Sequence, residues 1–464
     1  MVEHSALLTE RTPTTTVDGK LPSVPPGHDR TSKSRIQPAL TCFVFAAIVG
    51  AYLVMAFKFP MAYIWATYED LFGEWAQVWF FAAGLLFSAR IVFIKGRYRP
   101  FFGLLAASCL YVILEEISWG QRIFGIKSPD FFKAENLQGE LNIHNFFTGP
   151  YGTALKHTIA YVLAAGLVIY GLALPLAIRL RWRFAEWLDA RGLATPPLYL
   201  WPFFVMAAYL EIGTLRFNEA EVAELMVGFA MAITALHYLV SKRQDCNPHQ
   251  MASWPKGQPA RLALRTALTV GIVLALATGT TFAIYSSPSG KTRIDKRVQN
   301  GVAKFAGRYA RYEQWEMAAY LYERLRIEKP NSMSTLRKLA ESYEKSGDVA
   351  KHDQCLREAL RWDLGRYEKD PAAASVNRSL ARTYRMMGEN TKATEHLQNA
   401  LRIGRGRIED HPTSANAAYS LAKTYDLIHK KAAALEQYER AYKLKPTSKK
   451  FKKAYLKSKL RQRR

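Results

Sequence analysis

Residues 379–400 read SLARTYRMMGENTKATEHLQNA, and the spacing of their apolar members sets the fold of the C-terminal half. Leu380, Ala381 and Tyr384 on one side of Gly388, and Ala393, Leu397 and Ala400 on the other, recur at three- and four-residue intervals. That is the period of an amphipathic helix, so two helices meet at a glycine turn. Small residues let two antiparallel helices cross closely, and the tyrosine fills the gap. The signature recurs upstream as Leu339-Ala340, Tyr343, Gly347, Leu356 and Ala359, and downstream as Leu421-Ala422, Tyr425, Ala434, Tyr438, Ala441 and Pro446. An earlier unit reads Phe305-Ala306, Tyr309, Ala318, Tyr322, Leu325 and Pro330.

The marker tyrosines Tyr309, Tyr343, Tyr384 and Tyr425 are spaced by 34, 41 and 41 residues. The seven extra residues fall around Arg366–Asp370 and Gly406–Asp410, as lengthened second helices or as longer joints. His352 replaces a small residue in the second unit, and His429 replaces the turn glycine in the fourth. Over roughly 300–446 the pattern resembles the tetratricopeptide repeat, a helix–turn–helix of about 34 residues. The resemblance implies an α-solenoid whose concave groove binds a protein or peptide partner, without catalysis of its own. Trp315, Arg378 and Asn416 are candidates to line that groove. Residues 447–464, TSKKFKKAYLKSKLRQRR, hold nine Lys and Arg and no acid. They read as a basic capping helix able to touch anionic lipid or an acidic envelope polymer.

The first 300 residues have a different texture. Residues 1–35 are rich in Thr, Ser and Pro and read as a disordered tail, with no cleavable signal before the first apolar run. Seven runs approach the ~20 residues that cross a bilayer: Ala39–Phe57, Val78–Ile94, Phe101–Ile117, His157–Leu180, Leu198–Leu215, Val222–Val240 and Leu262–Tyr285. Arg30, Lys33 and Arg35, then Lys95, Arg97 and Arg99, then Arg179, Arg181 and Arg183, then Lys242, Arg243, Lys256, Arg261 and Arg265 mark one side. Glu69, Asp70, Glu74, Glu219 and Glu221 mark the other, although Arg122, Lys127, Lys133 and Arg216 fall there too. The positive-inside rule then puts the N-terminus in the cytoplasm and the repeats outside. The net charge is +25, and from Lys291 onward there are 40 Lys and Arg against 20 Asp and Glu. Such a surface favours anionic partners. Nucleic acid is not expected on the extracytoplasmic side. Four cysteines far apart in sequence, without a CxxC pair, argue against a disulfide framework or a cysteine metal site.

The third run leads into EEISWGQRIFGIKSPDFFKAENLQGELNIHN, residues 115–145. Paired carboxylates at the end of a span are costly to place and point to a function. On a helix Glu115, Ser118 and Arg122 share one face, and Asn136, Glu140 and His144 share another. An extended segment would also put Asn136, Gln138, Glu140, Asn142 and His144 on one side, and Gly139 weakens the helical alternative. Glu115 lies about 16 residues, roughly 24 Å, beyond Arg99, close to the outer face of a ~30 Å core. Glu211, Glu221, Glu224 and His157 fall at a similar level, whereas His237 is near the cytoplasmic end. Glu115, Glu116, Ser118, Arg122, Glu140 and His144 are therefore the catalytic candidates, and Glu140, His144, His157 and Glu211 the ligands for a divalent metal such as zinc. Ser118 or a bound water would be the nucleophile, and Arg122 would hold an anionic headgroup. Each residue also has a plain structural role open to it: a pair within the bundle for Glu115 and Arg122, an interfacial anchor for Trp119, a solvated surface for Glu140.

The stretch resembles one found in bacterial multi-span membrane proteins of unassigned function, of the form E-E-x-S-W-G-Q-R followed by N-x-Q-x-E-x-N-x-H-N. A looser similarity is to seven-span alkaline ceramidase-like hydrolases, which hold zinc through histidines within the membrane; this chain has no H-x3-H pair in a late span.

The sequence thus predicts an all-α chain: a polytopic membrane helix bundle of about seven spans at 36–287, a linker at 288–300, an α-solenoid of four helix pairs at 301–446 and a basic cap at 447–464. Its expected role is an anchored scaffold recruiting partner proteins at the extracytoplasmic face of a bacterial-type inner (plasma) membrane. The alternative is an intramembrane, metal-dependent hydrolase or transferase acting on a lipid or lipid-linked substrate, with the repeats as a docking arm.

Overall fold

The computed structural model describes residues 36–94, 96–121, 126–135, 141–143, 153–241 and 258–462, and among them the regular elements are all helical. Five helices are long and apolar enough to cross a membrane: Ile36–Lys58, Pro60–Val92, His157–Arg179, Glu219–Ser241 and Pro259–Ser286. The second is broken into Pro60–Thr67 and Phe72–Val92 by a turn in which Asp70 takes a left-handed backbone (φ 65°). The other two expected spans form shorter helices. Arg99–Glu116 has Arg99, Glu115 and Glu116 among its 18 residues. Leu198–Glu211 joins three residues of 3-10 turn to 11 of α-helix, roughly 22 Å in all against a ~30 Å core.

Glu219–Ser241 is the buried centre of this half, packed between Phe72–Val92 and Trp201–Glu211. Gly228 lets it approach Phe72–Val92: a Cβ there would lie 3.2 Å from Phe80 and 3.3 Å from Phe81. The peripheral helices instead turn large apolar side chains outward, among them Phe43, Leu53, Tyr161, Val162, Leu268, Ile272 and Phe282. An outward apolar surface on helices of this length is what a hydrocarbon solvent demands.

The C-terminal half is a run of helix pairs: Pro288–Arg311 with Trp315–Glu328, Met333–Ser346 with Val349–Lys369, Ala374–Met386 with Asn390–Asp410, and Ala415–Leu427 with Lys431–Leu444. The second helices of the middle pairs have 21 residues where those of the outer pairs have 14. The longer repeat spacing is therefore lengthened helix rather than longer joint. Seven residues are close to two full turns at 3.6 per turn, so the same face still meets the neighbouring pair. Gly347 and Gly388 close their turns with φ of 86° and 80°, and His429 does the same work at φ 59°. His352 fits its crossing by placing Nδ1 3.0 Å from the Ala340 carbonyl. The last helix, Lys449–Gln462, buries Phe451 against Tyr419, Ala418 and Ala441.

The two halves are welded. Residues 288–300, read as a linker, begin the long helix Pro288–Arg311. The turn that starts it is capped: Gly290 N–H donates to Ser287 Oγ at 3.1 Å, and a Cβ on Gly290 would collide with the Ile284 carbonyl at 2.0 Å. Ile294, Val302, Phe305 and Tyr309 of this junction helix share one core with Tyr63, Ile64 and Leu71 of the first half. Gly301 sits where they cross most closely, 2.7 Å from Ile64 for an added Cβ. Phe217 plugs the seam, its ring 5.2 Å from Tyr63, 5.3 Å from Phe305 and 4.9 Å from Tyr309. Polar contacts frame this apolar centre. Arg297 pairs with Glu69 at 3.1 Å and Asp70 at 2.6 Å. Lys304 and Arg308 both donate to Asn218 Oδ1, at 3.1 and 3.0 Å, and Tyr309 donates to the Ala56 carbonyl at 2.6 Å.

Candidate functional site

Arg99–Glu116 ends where the polar stretch begins, and its end departs from the helical face read in the sequence. Ser118, Trp119 and Gly120 all take left-handed backbones (φ 48°, 53° and 78°). The helix therefore stops at Glu116, and Ser118 does not stack one turn above Glu115. Ser118 is fully buried. Glu115, also buried, accepts from Trp119 Nε1 at 2.8 Å and from the Ile143 amide at 2.9 Å. Gln121 ties the same segments: its Oε1 accepts from the Leu141 amide at 2.8 Å and its Nε2 donates to Ser128 Oγ at 2.7 Å. The Leu141 and Ile143 amides are thus held by side chains rather than by a helix ladder. Arg122, Asn136–Glu140 and His144 lie outside the described residues.

Glu116 faces inward. Gln77 Nε2 donates to Glu224 Oε2 at 2.5 Å and reaches Glu116 Oε1 at 3.4 Å, joining Phe72–Val92, Arg99–Glu116 and Glu219–Ser241 through one amide. Glu74, one turn before Gln77, accepts from the Asp70 amide, and Asp70 holds Arg297 of the junction helix. The acidic ends of three apolar helices and the root of the repeat arm therefore lie together. Gln77 was missed in the sequence because a single amide inside an apolar run carries no spacing signal. Of the metal candidates, His157 is exposed and Glu211 half-buried. Among the described residues no three His, Cys, Asp or Glu side chains converge as a ligand set.

The arm supplies the second site. Successive first helices touch, Met333–Ser346 on Ala374–Met386 on Ala415–Leu427, and so line its concave side. A depression of ≈ 300 Å³ between the first two is lined by Arg337, Lys338, Glu341, Arg382 and Arg385, among others. Its floor is a polar relay. Arg337 Nη1 donates to Asp363 Oδ2 (3.2 Å), Ser379 Oγ (3.2 Å) and Thr383 Oγ1 (3.0 Å). One long repeat further on, Arg378 Nη1 donates to Ser420 Oγ at 3.1 Å and Thr424 Oγ1 at 3.0 Å. Arg337 and Arg378, Ser379 and Ser420, and Thr383 and Thr424 are each 41 residues apart, a spacing legible in the sequence. The acid is not repeated, because Gly404 stands 41 residues after Asp363 and packs under Leu421. Burial pushes the Arg378 guanidinium down to about 10, and the neighbouring Arg382 pushes the same way. Of the other groove candidates, Asn416 is exposed on a first helix, whereas Trp315 opens a second helix.

Residues 372–447 match the tetratricopeptide repeat family. Among solved structures the chain is similar to the MamA protein, at 21% identity over 34% of this chain and 78% of that one, with a TM-score of 0.16. It is also similar to a thermophilic TPR protein of Thermus thermophilus (19% identity, 39% and 94% covered, TM-score 0.22). A third likeness is to the C-terminal part of a TPR repeat-containing protein from Cytophaga hutchinsonii (14% identity, 64% and 98% covered, TM-score 0.18). No curated protein matches the chain, and the similarity of the first half to ceramidase-like hydrolases finds no support in these comparisons. The matched part of the arm thus has the tetratricopeptide type of fold, which supports a protein-interaction module, and it is joined to a body whose five long apolar helices could span a membrane.

Proposed function

We propose that this chain is a membrane-anchored tetratricopeptide scaffold that recruits partner proteins at the extracytoplasmic face of a bacterial-type inner membrane. The observation that carries the reading is the weld of the junction helix onto the first half through Arg297, Phe305 and Phe217. A module that only needed tethering would hang from one span by a loose linker. A welded arm holds its groove at a set height and heading above the bundle, which is useful when a bound partner must be delivered to a place on the membrane. The basic loops at Arg97–Arg99 and Arg179–Arg183, opposite the acidic ends of the helices, support an inside N-terminus and seven spans, two of them short.

The test labels single cysteines, in a background without the native ones, with an impermeant maleimide. Lys329→Cys should react in intact cells and Arg191→Cys only after permeabilisation; the opposite pattern defeats the location. A photoreactive residue at Lys338 in the groove should give discrete protein adducts that the same residue at Glu395, on the outer helix, does not.

The amide of Gln77 bridging Glu224 and Glu116, directly below the arm, favours keeping the enzyme as a second reading. There a partner or lipid-linked substrate held by the arm would be acted on by a site including Glu140 and His144. Glu140→Gln and His144→Ala should then abolish the cellular role while the protein inserts normally. If both variants behave as wild type, this reading is finished.

A further inference from the structure

The segment Arg179–Arg191, at the end of the first half remote from the arm, is built the wrong way round for water. Its helix Arg183–Ala190 buries Ala185 and Asp189 and turns Phe184 and Trp187 outward, 67% and 45% exposed. The approach to it, Arg179, Leu180, Arg181, Trp182 and Arg183, is exposed at every residue, with Trp182 at 62%. Basic and large apolar side chains alternate along that approach. The Phe184 and Trp187 rings are stacked at 5.8 Å, and the Arg191 guanidinium lies 3.7 Å above the Trp187 ring.

The segment is also held in place. Asp189 accepts from Arg97 Nη2 at 2.7 Å and from Tyr98 OH at 2.9 Å. Gly192, at φ 93°, lets the chain pass the Arg97 carbonyl, where a Cβ would come within 2.4 Å. Asp189 is thereby turned inward and consumed, while Glu186, the other acid of the segment, is half-buried. What remains outward is a row of guanidinium groups flanked by aromatic rings.

We propose that this segment is a binding site for an anionic phospholipid, with the arginines at 179, 181 and 183 on the headgroup phosphate and Trp182, Phe184 and Trp187 at the acyl boundary. The inference rests on the membrane reading given above. Charge complementarity names the ligand: guanidinium forks match phosphate oxygens, while indole and phenyl rings settle at the headgroup level. A soluble phosphate would satisfy the arginines and leave the rings in water. A zwitterionic lipid would cover the rings without the net charge that matches the arginines.

The experiment uses the full chain, first reconstituted into vesicles and checked for resistance to alkaline extraction. Failure there overturns the membrane reading itself. Protein that inserts is then purified in a neutral detergent and titrated with phosphatidylglycerol or phosphatidylcholine, with bound lipid counted by native mass spectrometry. Wild type should prefer phosphatidylglycerol. The triple variant Arg179→Gln, Arg181→Gln, Arg183→Gln should bind it on the order of a hundredfold more weakly, since each charge near an anionic surface is worth about a factor of five. A control removing equal charge from the arm, Arg324→Gln, Arg357→Gln, Arg361→Gln, should bind as wild type. Unchanged phosphatidylglycerol binding in the first triple variant, equal loss in the control, or full displacement by glycerol phosphate would each overturn the proposal.

Discussion

Phe217→Ala is the sharpest probe of the weld between the halves. Phe217 belongs to the loop before Glu219–Ser241, so it lies outside the helix pairs, yet its ring meets Tyr63, Phe305, Tyr309 and Tyr312 at 4.9–5.9 Å. Its place is fixed by Glu219, which accepts from the Arg216 and Phe217 amides at 2.6 Å each. Truncating a buried Phe to Ala costs about 3–5 kcal/mol, and a half-buried ring falls at the low end, near ~3 kcal/mol. That loss should appear where the ring packs and nowhere else. Hydrogen exchange of the Pro288–Arg311 amides should rise about a hundredfold, because opening of that helix becomes ~3 kcal/mol easier. Exchange in Ala374–Met386, two helix pairs away, should not change. Unaltered exchange in the junction helix would show that the arm does not depend on the seam. An equal rise in both helices would show a loss spread over the whole arm, and would refute the local account.

Three further outcomes follow from the arm. Asp363 is fully buried and neutralises Arg337, so Asp363→Asn should destabilise the arm by about 3 kcal/mol. The low end of the usual range applies because Arg378 is tolerated on hydroxyls alone; a thermal midpoint within a degree of wild type would contradict the relay. His429→Gly relieves a left-handed residue at φ 59° and should raise stability by about 0.5–1 kcal/mol, read as a higher thermal midpoint. The His396 imidazole, whose pKa burial pushes down, is neutral in the folded arm and stacks on Tyr384 at 5.6 Å. A depressed folded pKa means that the unfolded chain takes up the proton first as pH falls, so this contribution is intact above about 6.5 and lost below it. His396→Gln should therefore lose less stability than wild type between pH 7.5 and 5. Parallel losses in the two proteins would remove His396 from the account.

Much of the arm was legible because its information is local. Leu-Ala and Tyr at helical intervals, with Gly347 and Gly388 at turns, state both the helix pairs and how closely they cross. The polar stretch after Glu115 was legible as a place and not as an arrangement. Its helical reading assumed that the backbone of Arg99–Glu116 would run on, but Ser118–Gly120 turn left-handed, and nothing about a Ser-Trp pair in sequence requires that. The relay under the groove was in the sequence as a 41-residue spacing of Arg, Ser and Thr, yet it gains meaning only once neighbouring first helices lie side by side.

By itself the sequence determined an all-helical chain, a first half rich in long apolar helices, a repeat arm and the turns within it, since each of these follows from periodicity over a few residues. Tertiary structure alone decided that the arm is welded rather than tethered. It alone joined Gln77 to Glu116 and Glu224, and turned Arg179–Phe184 outward with Asp189 drawn inward onto Arg97. The physical reason is that these depend on contacts between residues far apart in the chain, such as Arg297 on Asp70, or Phe217 on Phe305. The free energy of such contacts is set by packing that no local window of sequence contains.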